Sequence, residues 1–232
     1  MALTHSPSIV RTGLVLHLDA ANPKSYPGTG TTWNDLSGQS NNGLLVNAPS
    51  MDPTGVILSA TSYVSLANKS LSTSGLNNVS YSFFLKLNWL SVVGYKTIFG
   101  IQEGNFSKVA SFVLNTNSSN LQFDFRNGAS VERGIFDVNM ASFANIPTQI
   151  VYTFQTGIHR LYINSVLIST YNGTATVFPS WSGTAGYAIG ENLDSSRILS
   201  SGTFNNVMVY NRTLSNNEIA QNWEAQRGRY GI

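Results

Sequence analysis

The sequence contains no cysteine, and only 10% of its 232 residues are charged. Without cysteine, the chain can form neither a disulfide framework nor a zinc-thiolate site. Its 13 basic and 11 acidic residues give a formal net charge of +2, and the basic residues are scattered along the chain. Because a nucleic-acid interface needs basic residues clustered on one face, we expect no nucleic-acid partner.

Long apolar runs are also absent, although 42% of the residues are hydrophobic. No stretch approaches the roughly 20 apolar residues that a membrane-spanning helix requires. The N-terminal residues lack the basic start and unbroken apolar run of a secretory signal. We therefore expect a protein that is made in the cytoplasm without a signal peptide and that does not insert into a membrane.

Alternating apolar and polar residues occupy most of the chain. In the segment GLVLHLDA, Leu14, Leu16 and Leu18 fall on one face of a predicted strand. The same period recurs at residues 79–90 and 121–126. Such segments, separated by turns that contain Gly and Asn, predict an all-β fold, an antiparallel β-sandwich of about 12–14 strands.

Helix signals occur only near the C-terminus. Ser215 and Glu218 match the S-x-x-E capping box, and Ile219 and Trp223 follow on one apolar stripe. This pattern predicts one short helix of roughly ten residues after the last strand.

A long polar segment follows the first predicted strand and carries two large aromatic residues, Tyr26 and Trp33. A long loop with such residues is typical of an ordered loop held in place by its aromatic side chains. We predict that Tyr26 and Trp33 anchor the fold and do not serve as ligand platforms.

Three blocks of sequence resemble a known family. They are GLVLHLDA followed by WNDLSGQSNNGLL, then IVYTFQTGIHRLYINSVLIST, then IGENLDSSRILSSGTFNNVMVYNRTLSNNEIAQNW. In this order they are similar to the laminin-G-like jelly rolls of the concanavalin A-like lectin and glucanase fold. The resemblance implies a jelly-roll domain over residues 13–226, with an N-terminal arm at 1–12 and a C-terminal tail at 227–232. It also implies that the first strand pairs with the strand at residues 203–210.

The two ends of the chain resemble a sub-branch found in structural proteins of tailed bacteriophages. That resemblance implies a non-enzymatic virion protein, either a capsid decoration or a tail or fibre component, made in the host cytoplasm. Its partners would be other virion proteins and further copies of itself, with a homotrimer as the expected assembly. The alternative is a carbohydrate-binding adhesin that recognises host surface glycans.

The resemblance also implies what a catalytic site would require. Glucanase relatives of this fold use two neighbouring carboxylates, often as E-x-D-x-x-E on one strand. None of the five glutamates begins such a run, and His5, His17 and His159 are scattered. The G-x-S-x-G motif is absent as well. We therefore predict no enzymatic activity and no catalytic residue.

Many relatives hold a calcium ion between the first loop and the last strand, and the matching positions are Asp19, Asp35 and Asn205. Calcium prefers carboxylate, amide and carbonyl oxygens, so these residues are the candidate ligands. The alternative is that Asp19 and Asp35 stabilise turns, as aspartate commonly does. No cofactor is required, and calcium is the one candidate.

Sugar binding requires an aromatic face together with polar side chains that bond to hydroxyls. Trp181, flanked by small polar residues, is the candidate for stacking. Gln122, Asp124 and Arg126 lie on the polar face of one predicted strand and are the candidate hydrogen-bonding set. Two alternatives stay open: Trp181 packs beneath its own loop, and Asp124 forms an ion pair with Arg126.

Overall fold

The computed structural model describes residues 7–59, 61–66, 71, 73–88, 94–103, 108–115, 117–127, 130–136, 138–180, 186–191 and 201–232. Its strands in chain order are β1 (Leu14–Asp19), β2 (Thr32–Trp33), β3 (Gly43–Val46), β4 (Ser50–Asp52), β5 (Gly55–Ser59), β6 (Tyr63–Leu66), β7 (Asn78–Leu87), β8 (Tyr95–Glu103), β9 (Lys108–Asn115), β10 (Asn120–Asn127), β11 (Ser130–Phe136), β12 (Thr148–Gln155), β13 (Ile158–Ile163), β14 (Val166–Asn172), β15 (Gly186–Ile189) and β16 (Ser201–Tyr210). Helix α1 spans Asn216–Gln226, and 3₁₀ helices occupy Met140–Phe143 and Arg227–Tyr230.

The strands form two antiparallel sheets that pack face to face. Sheet 1 has the order β14-β13-β12-β7-β16-β5-β4, and β1 pairs with β16 beside β5. Sheet 2 has the order β11-β10-β9-β8-β15-β6-β3-β2. The predicted antiparallel β-sandwich with a C-terminal helix is therefore confirmed.

The core lies between the sheets and is rich in aromatic residues. Strand alternation directs Leu121, Phe123 and Phe125 of β10 into it, and all three are at most 4% exposed. Across the sandwich they face sheet 1, where Phe154 of β12 contacts the Phe125 ring at a centroid distance of 5.7 Å. The predicted inward face of this strand is thus confirmed.

The first and last strands meet in the middle of sheet 1. Leu16 of β1 lies opposite Val209 of β16, and Leu18 lies opposite Val207. All four side chains are fully buried. This confirms the predicted pairing of the two ends of the chain.

The loop after β1 carries the chain from sheet 1 to sheet 2. Trp33 lies in β2, which pairs with β3, and its side chain is 0% exposed. Tyr26 is also buried, and its hydroxyl donates to the Gly30 carbonyl at 3.2 Å. Both predicted anchors therefore pack into the fold.

Helix α1 covers the outer face of sheet 1. The predicted capping box is present, with the Ser215 Oγ accepting from the Glu218 amide and the Glu218 carboxylate accepting from the Ser215 amide. Ile219 packs with Tyr210 in a small second core, and the Trp223 ring stacks on Phe84 at 5.9 Å. The helix is thus held by one buried stripe.

The described residues form sixteen strands, two more than the upper end of the predicted range. Strands β2 and β4 contain two and three residues, too few to show an alternating pattern. The domain boundaries predicted at 12/13 and 226/227 stay predictions. Val10 and Tyr230, which lie outside those boundaries, are each 8% exposed.

Replacing Trp33 with alanine should lower the free energy of unfolding by about 3–5 kcal/mol, because it removes the largest fully buried side chain of the described residues. Urea unfolding followed by circular dichroism measures the change. Leu44→Ala, on the neighbouring strand at 47% exposure, is the control and should change stability by less than about 0.5 kcal/mol. Equal stability of Trp33→Ala and the parent chain would refute the anchor role.

Candidate functional site

The predicted polar row lies on the outer face of β10, but two of its three members are buried. Gln122 is 3% exposed and Asp124 is 2% exposed. The Asp124 Oδ2 accepts hydrogen bonds from Arg133 Nη2 at 2.9 Å and from Arg126 Nη2 at 3.4 Å. The ion-pair alternative therefore describes Asp124, with Arg133 as its nearer partner. Trp181 lies outside the described residues.

A groove opens beside Arg126 at one edge of the sandwich. Its cavity has a volume of about 270 Å³ and lies between β10, β11 and the segment that follows β14. The Arg126 side chain is 29% exposed. The described residues that line this Arg126 groove are Phe125, Arg126, Val131, Glu132, Thr174–Val177 and Pro179.

Glu132 holds the wall of the Arg126 groove in place. Its Oε2 accepts from the Thr174 amide at 2.7 Å, the Thr174 hydroxyl at 2.9 Å and the Ala175 amide at 2.7 Å. Burial by itself raises the pKa of Glu132, but these hydrogen bonds and nearby His159 outweigh it and hold the pKa below its usual value. The carboxylate is thus ionised and fully committed to the fold.

The other oxygen of Glu132, Oε1, belongs to a hydrogen-bond network with His159 and Tyr152 in the aromatic core. His159 Nε2 lies 2.7 Å from Glu132 Oε1, and its Nδ1 lies 2.8 Å from the Tyr152 hydroxyl. Burial lowers the pKa of His159 to about 4, although Glu132 acts in the opposite direction. A neutral imidazole fits both contacts, donating to Glu132 and accepting from Tyr152. The network is structural, because His159 is 0% exposed.

The Arg126 groove combines groups that suit binding better than hydrolysis. It offers one guanidinium, the hydroxyl of Thr176, and the exposed apolar surface of Val131 and Val177. Glycoside hydrolysis requires two carboxyl groups across the scissile bond. Glu132 is the one carboxylate among the described lining residues, and its oxygens are occupied.

Two predicted calcium ligands already have protein partners. Arg229 donates Nη1 to Asp19 Oδ2 at 2.6 Å and Nη2 to Asp19 Oδ1 at 3.0 Å. Asp35 stabilises the first loop instead, as the turn alternative predicts. Its carboxylate accepts backbone amides at 2.8–3.0 Å from His17, Ser37 and Asn41.

The third predicted ligand, Asn205, donates its Nδ2 to the Thr54 carbonyl at 2.9 Å, and its Oδ1 is buried without a partner. This donor set does not fit a calcium ion, because a guanidinium already compensates the charge of Asp19. Among the described residues, no cluster of three or more His, Cys, Asp or Glu is arranged to hold a metal. Calcium binding stays a prediction that these contacts do not support.

Sequence reasoning missed Glu132 and the segment at Thr174 and Ala175. Glu132 lies 27 residues from His159 and 42 residues from Thr174, so no local motif connects them. The sequence VERGIF of β11 also lacks a clear alternation of polar and apolar residues, since Arg133 and Ile135 share its outer face.

In the described part of the chain, no helix has the length and hydropathy to cross a membrane.

Two packed antiparallel sheets, closed by pairing of the first and last strands, define a lectin-like β-sandwich. The chain belongs to the concanavalin A-like lectin/glucanases superfamily, whose sequence profile matches residues 58–220. The predicted family is thus confirmed. Among curated proteins, no sequence matches the chain.

Solved structures with the same fold include toxin domains and a glycosidase. The receptor binding domain of botulinum neurotoxin C/D mosaic serotype superposes with a TM-score of 0.69 at 18% identity, over 94% of this chain and 52% of that chain. The botulinum neurotoxin serotype D ligand binding domain in complex with N-acetylneuraminic acid superposes with a TM-score of 0.67 at 19% identity, over 94% of this chain and 52% of that chain. Trypanosoma rangeli sialidase superposes with a TM-score of 0.61 at 16% identity, over 93% of this chain and 33% of that chain.

The chain thus spans about half the length of the two toxin domains and a third of the sialidase. At these levels of identity, the likeness shows the fold alone. It confirms the lectin-like jelly roll and leaves the ligand to be inferred from this chain's own residues.

Acid should destabilise the fold through its buried histidines. Burial lowers the pKa of both His17 and His159 from 6.5 to about 4. The unfolded chain therefore takes up protons near pH 6.5 while the folded chain does not until about pH 4. This difference in pKa lowers the free energy of unfolding by roughly 3 kcal/mol per histidine as the pH falls through that window. The lowered pKa of Glu132 acts in the same direction at still lower pH.

Urea unfolding between pH 7 and pH 4 measures this loss. His17→Asn removes one of the two titrating groups, so the pH-dependent part of the unfolding free energy should fall by roughly half. A flat stability profile for the parent chain across the window would contradict the burial of neutral histidines.

Proposed function

We propose that the chain is a non-enzymatic carbohydrate-binding domain and that the Arg126 groove is its glycan site. The observation that carries the proposal is the composition of this groove, in which a partly exposed guanidinium, the Thr176 hydroxyl and apolar valine surface converge. Charged and hydroxyl donors bond to sugar hydroxyls, and apolar surface packs against the faces of the ring. Trp181 follows the groove residue Pro179 by two positions and remains the predicted stacking residue.

The fold relatives support the carbohydrate class. One toxin domain was solved with N-acetylneuraminic acid, another is described through interaction with two ganglioside molecules, and the third relative is a sialidase. For this chain, the corresponding role is that of an adhesin that recognises host surface glycans. The absence of a free carboxylate among the described groove residues argues for binding without cleavage.

Glycan-array binding of the purified chain tests the proposal with a matched pair of arginine variants. Arg126 and Arg133 both contact Asp124, but Arg126 alone lines the groove in its described part. Arg126→Gln should weaken binding about tenfold or more, because it removes a charged hydrogen bond. Arg133→Gln should retain binding.

Trp181→Ala tests the stacking residue on the same array, and loss of binding is expected. Incubation with the best-bound glycan should release no reducing ends. Equal binding by Arg126→Gln and Arg133→Gln would overturn the assignment of the groove, and released reducing ends would overturn the non-enzymatic role.

A second candidate function is that of a virion structural protein of a tailed phage, either a capsid decoration or a tail or fibre component. The observation that favours it is an exposed apolar edge. On the edge strand β14, the consecutive residues Val166, Leu167 and Ile168 are 60%, 44% and 40% exposed. A hydrophobic edge strand without charged residues is readily paired or covered by another protein. The proposed occupants are further copies of this chain, as a homotrimer, and other virion proteins.

Light scattering on the purified chain tests self-association. The double variant Val166→Lys and Ile168→Lys should convert a trimer to a monomer, because buried charge at the edge opposes pairing. Asn172→Lys, at the exposed far end of the same strand, should leave the assembly intact. A monomeric parent chain would refute self-association through this edge.

A further inference from the structure

A second and larger groove lies on the outer face of sheet 1. Strands β13 and β14 form one side, and the turn from β16 into α1 forms the other. Its cavity has a volume of about 560 Å³, twice that of the Arg126 groove. Residues that define its chemistry include Gln155, Arg160, Leu167, Arg212, Asn216 and Glu218.

One ion pair in this groove is already complete. Arg212 donates Nη2 to Glu218 Oε1 at 2.6 Å and Nη1 to Glu218 Oε2 at 2.9 Å. The guanidinium of Arg212 lowers the pKa of Glu218 to about 2, so the carboxylate stays charged at neutral pH. Glu218 also closes the helix capping box with Ser215. These two side chains serve the fold, and their charges cancel.

Arg160 is the second cation of the groove, and within the described part of the chain no carboxylate compensates its charge. It projects from β13 between Thr153 of β12 and Thr170 of β14, neither of which carries charge. Its side chain is partly exposed, and none of the described carboxylates forms a salt bridge with it. The described lining therefore has one net positive charge, because Arg212 and Glu218 neutralise each other.

The remaining lining residues suit a hydroxyl-rich ligand. The Asn216 Oδ1 accepts from the Tyr162 hydroxyl at 2.9 Å, which leaves the Asn216 amide nitrogen as a donor. Gln155 is exposed at the end of β12, and Leu167 adds an apolar surface that is 44% exposed. Planar amide groups beside an apolar strip are typical of sites that hold a sugar ring.

We propose that this Arg160 groove binds a carboxylate-bearing sugar, of the hexuronic acid class, with Arg160 pairing to the carboxylate. A guanidinium matches a carboxylate through two parallel hydrogen bonds. A single uncompensated cation fits a ligand with one negative charge per sugar, whereas a polyphosphate or nucleic acid requires several. The inference rests on the proposed carbohydrate-binding function and adds to it a second subsite, one for acidic sugars.

Isothermal titration of the full chain with trigalacturonate tests the proposal, with maltotriose as the neutral probe of similar size. We expect saturable binding of trigalacturonate that weakens as salt is added, and much weaker binding of maltotriose. Arg160→Gln should weaken trigalacturonate binding about tenfold or more. Arg160→Lys, which keeps the charge and loses the bidentate geometry, should have an intermediate effect.

Two further variants separate this subsite from the Arg126 groove. Arg133→Gln, outside the described lining of both grooves, is the control and should bind trigalacturonate as the parent chain does, whereas Arg126→Gln reports on the Arg126 groove. Loss of binding in Arg126→Gln but not in Arg160→Gln would overturn the second subsite while supporting the proposed glycan site. Absence of saturable trigalacturonate binding, or equal weakening by Arg133→Gln, would also overturn it. Thermal melting of each variant shows that it is folded.

Discussion

The pairing of β1 with β16 is the constraint on which the rest of the structure depends. Strand β16 lies between β7 on one side and both β1 and β5 on the other, so it forms the centre of sheet 1. The turn after it positions α1, and the chain then brings Arg229 back to Asp19 at the end of β1. Because Asp19 is 2% exposed, losing the guanidinium would leave a buried charge without compensation. The two ends of the chain are thus locked together by apolar packing and by one ion pair.

Both proposed grooves owe their shape to buried or paired charges that are not available to a ligand. In the Arg126 groove, Glu132 fixes the segment at Thr174 and Ala175 against β11. In the Arg160 groove, the pair of Arg212 and Glu218 fixes the start of α1. In each case one further arginine is left partly exposed beside the fixed wall. The scaffold thus uses Glu132 and Glu218 for structure and leaves Arg126 and Arg160 partly exposed.

The sequence predicts those features that depend on local pattern. Three features can be read within a few residues. They are the alternation in β1 and β10, which predicts the buried faces of those strands, the capping box at Ser215 and Glu218, which predicts the start of α1, and the two loop aromatics, which predict the anchors. Alternation separates the two faces of a strand, but it does not say what covers the outer face. For this reason the burial of Gln122 and Asp124 could not be predicted.

Contacts between distant strands escaped prediction for a related reason. Arg229 is 210 residues from Asp19, and Arg133 meets Asp124 through the register of β10 with β11. The family pattern indicated Asp19 as a metal ligand because the competing guanidinium is not part of the pattern. Site residues in this fold are therefore set by which strands become neighbours, a property that no single segment contains.

The central position of β16 has a consequence for synthesis of the protein. On the ribosome, β1 appears first, but its partner strand follows about 190 residues later. Strand β7 is also made before both of its neighbours, β12 and β16. Sheet 1 cannot close until Tyr210 has emerged, so the apolar faces of its earlier strands stay open during most of translation. Long-range pairing of this kind makes folding slow and leaves the nascent chain prone to aggregation. The chain's low charge offers little electrostatic protection in that interval, and a chaperone that shields β-strands during translation would therefore raise its yield.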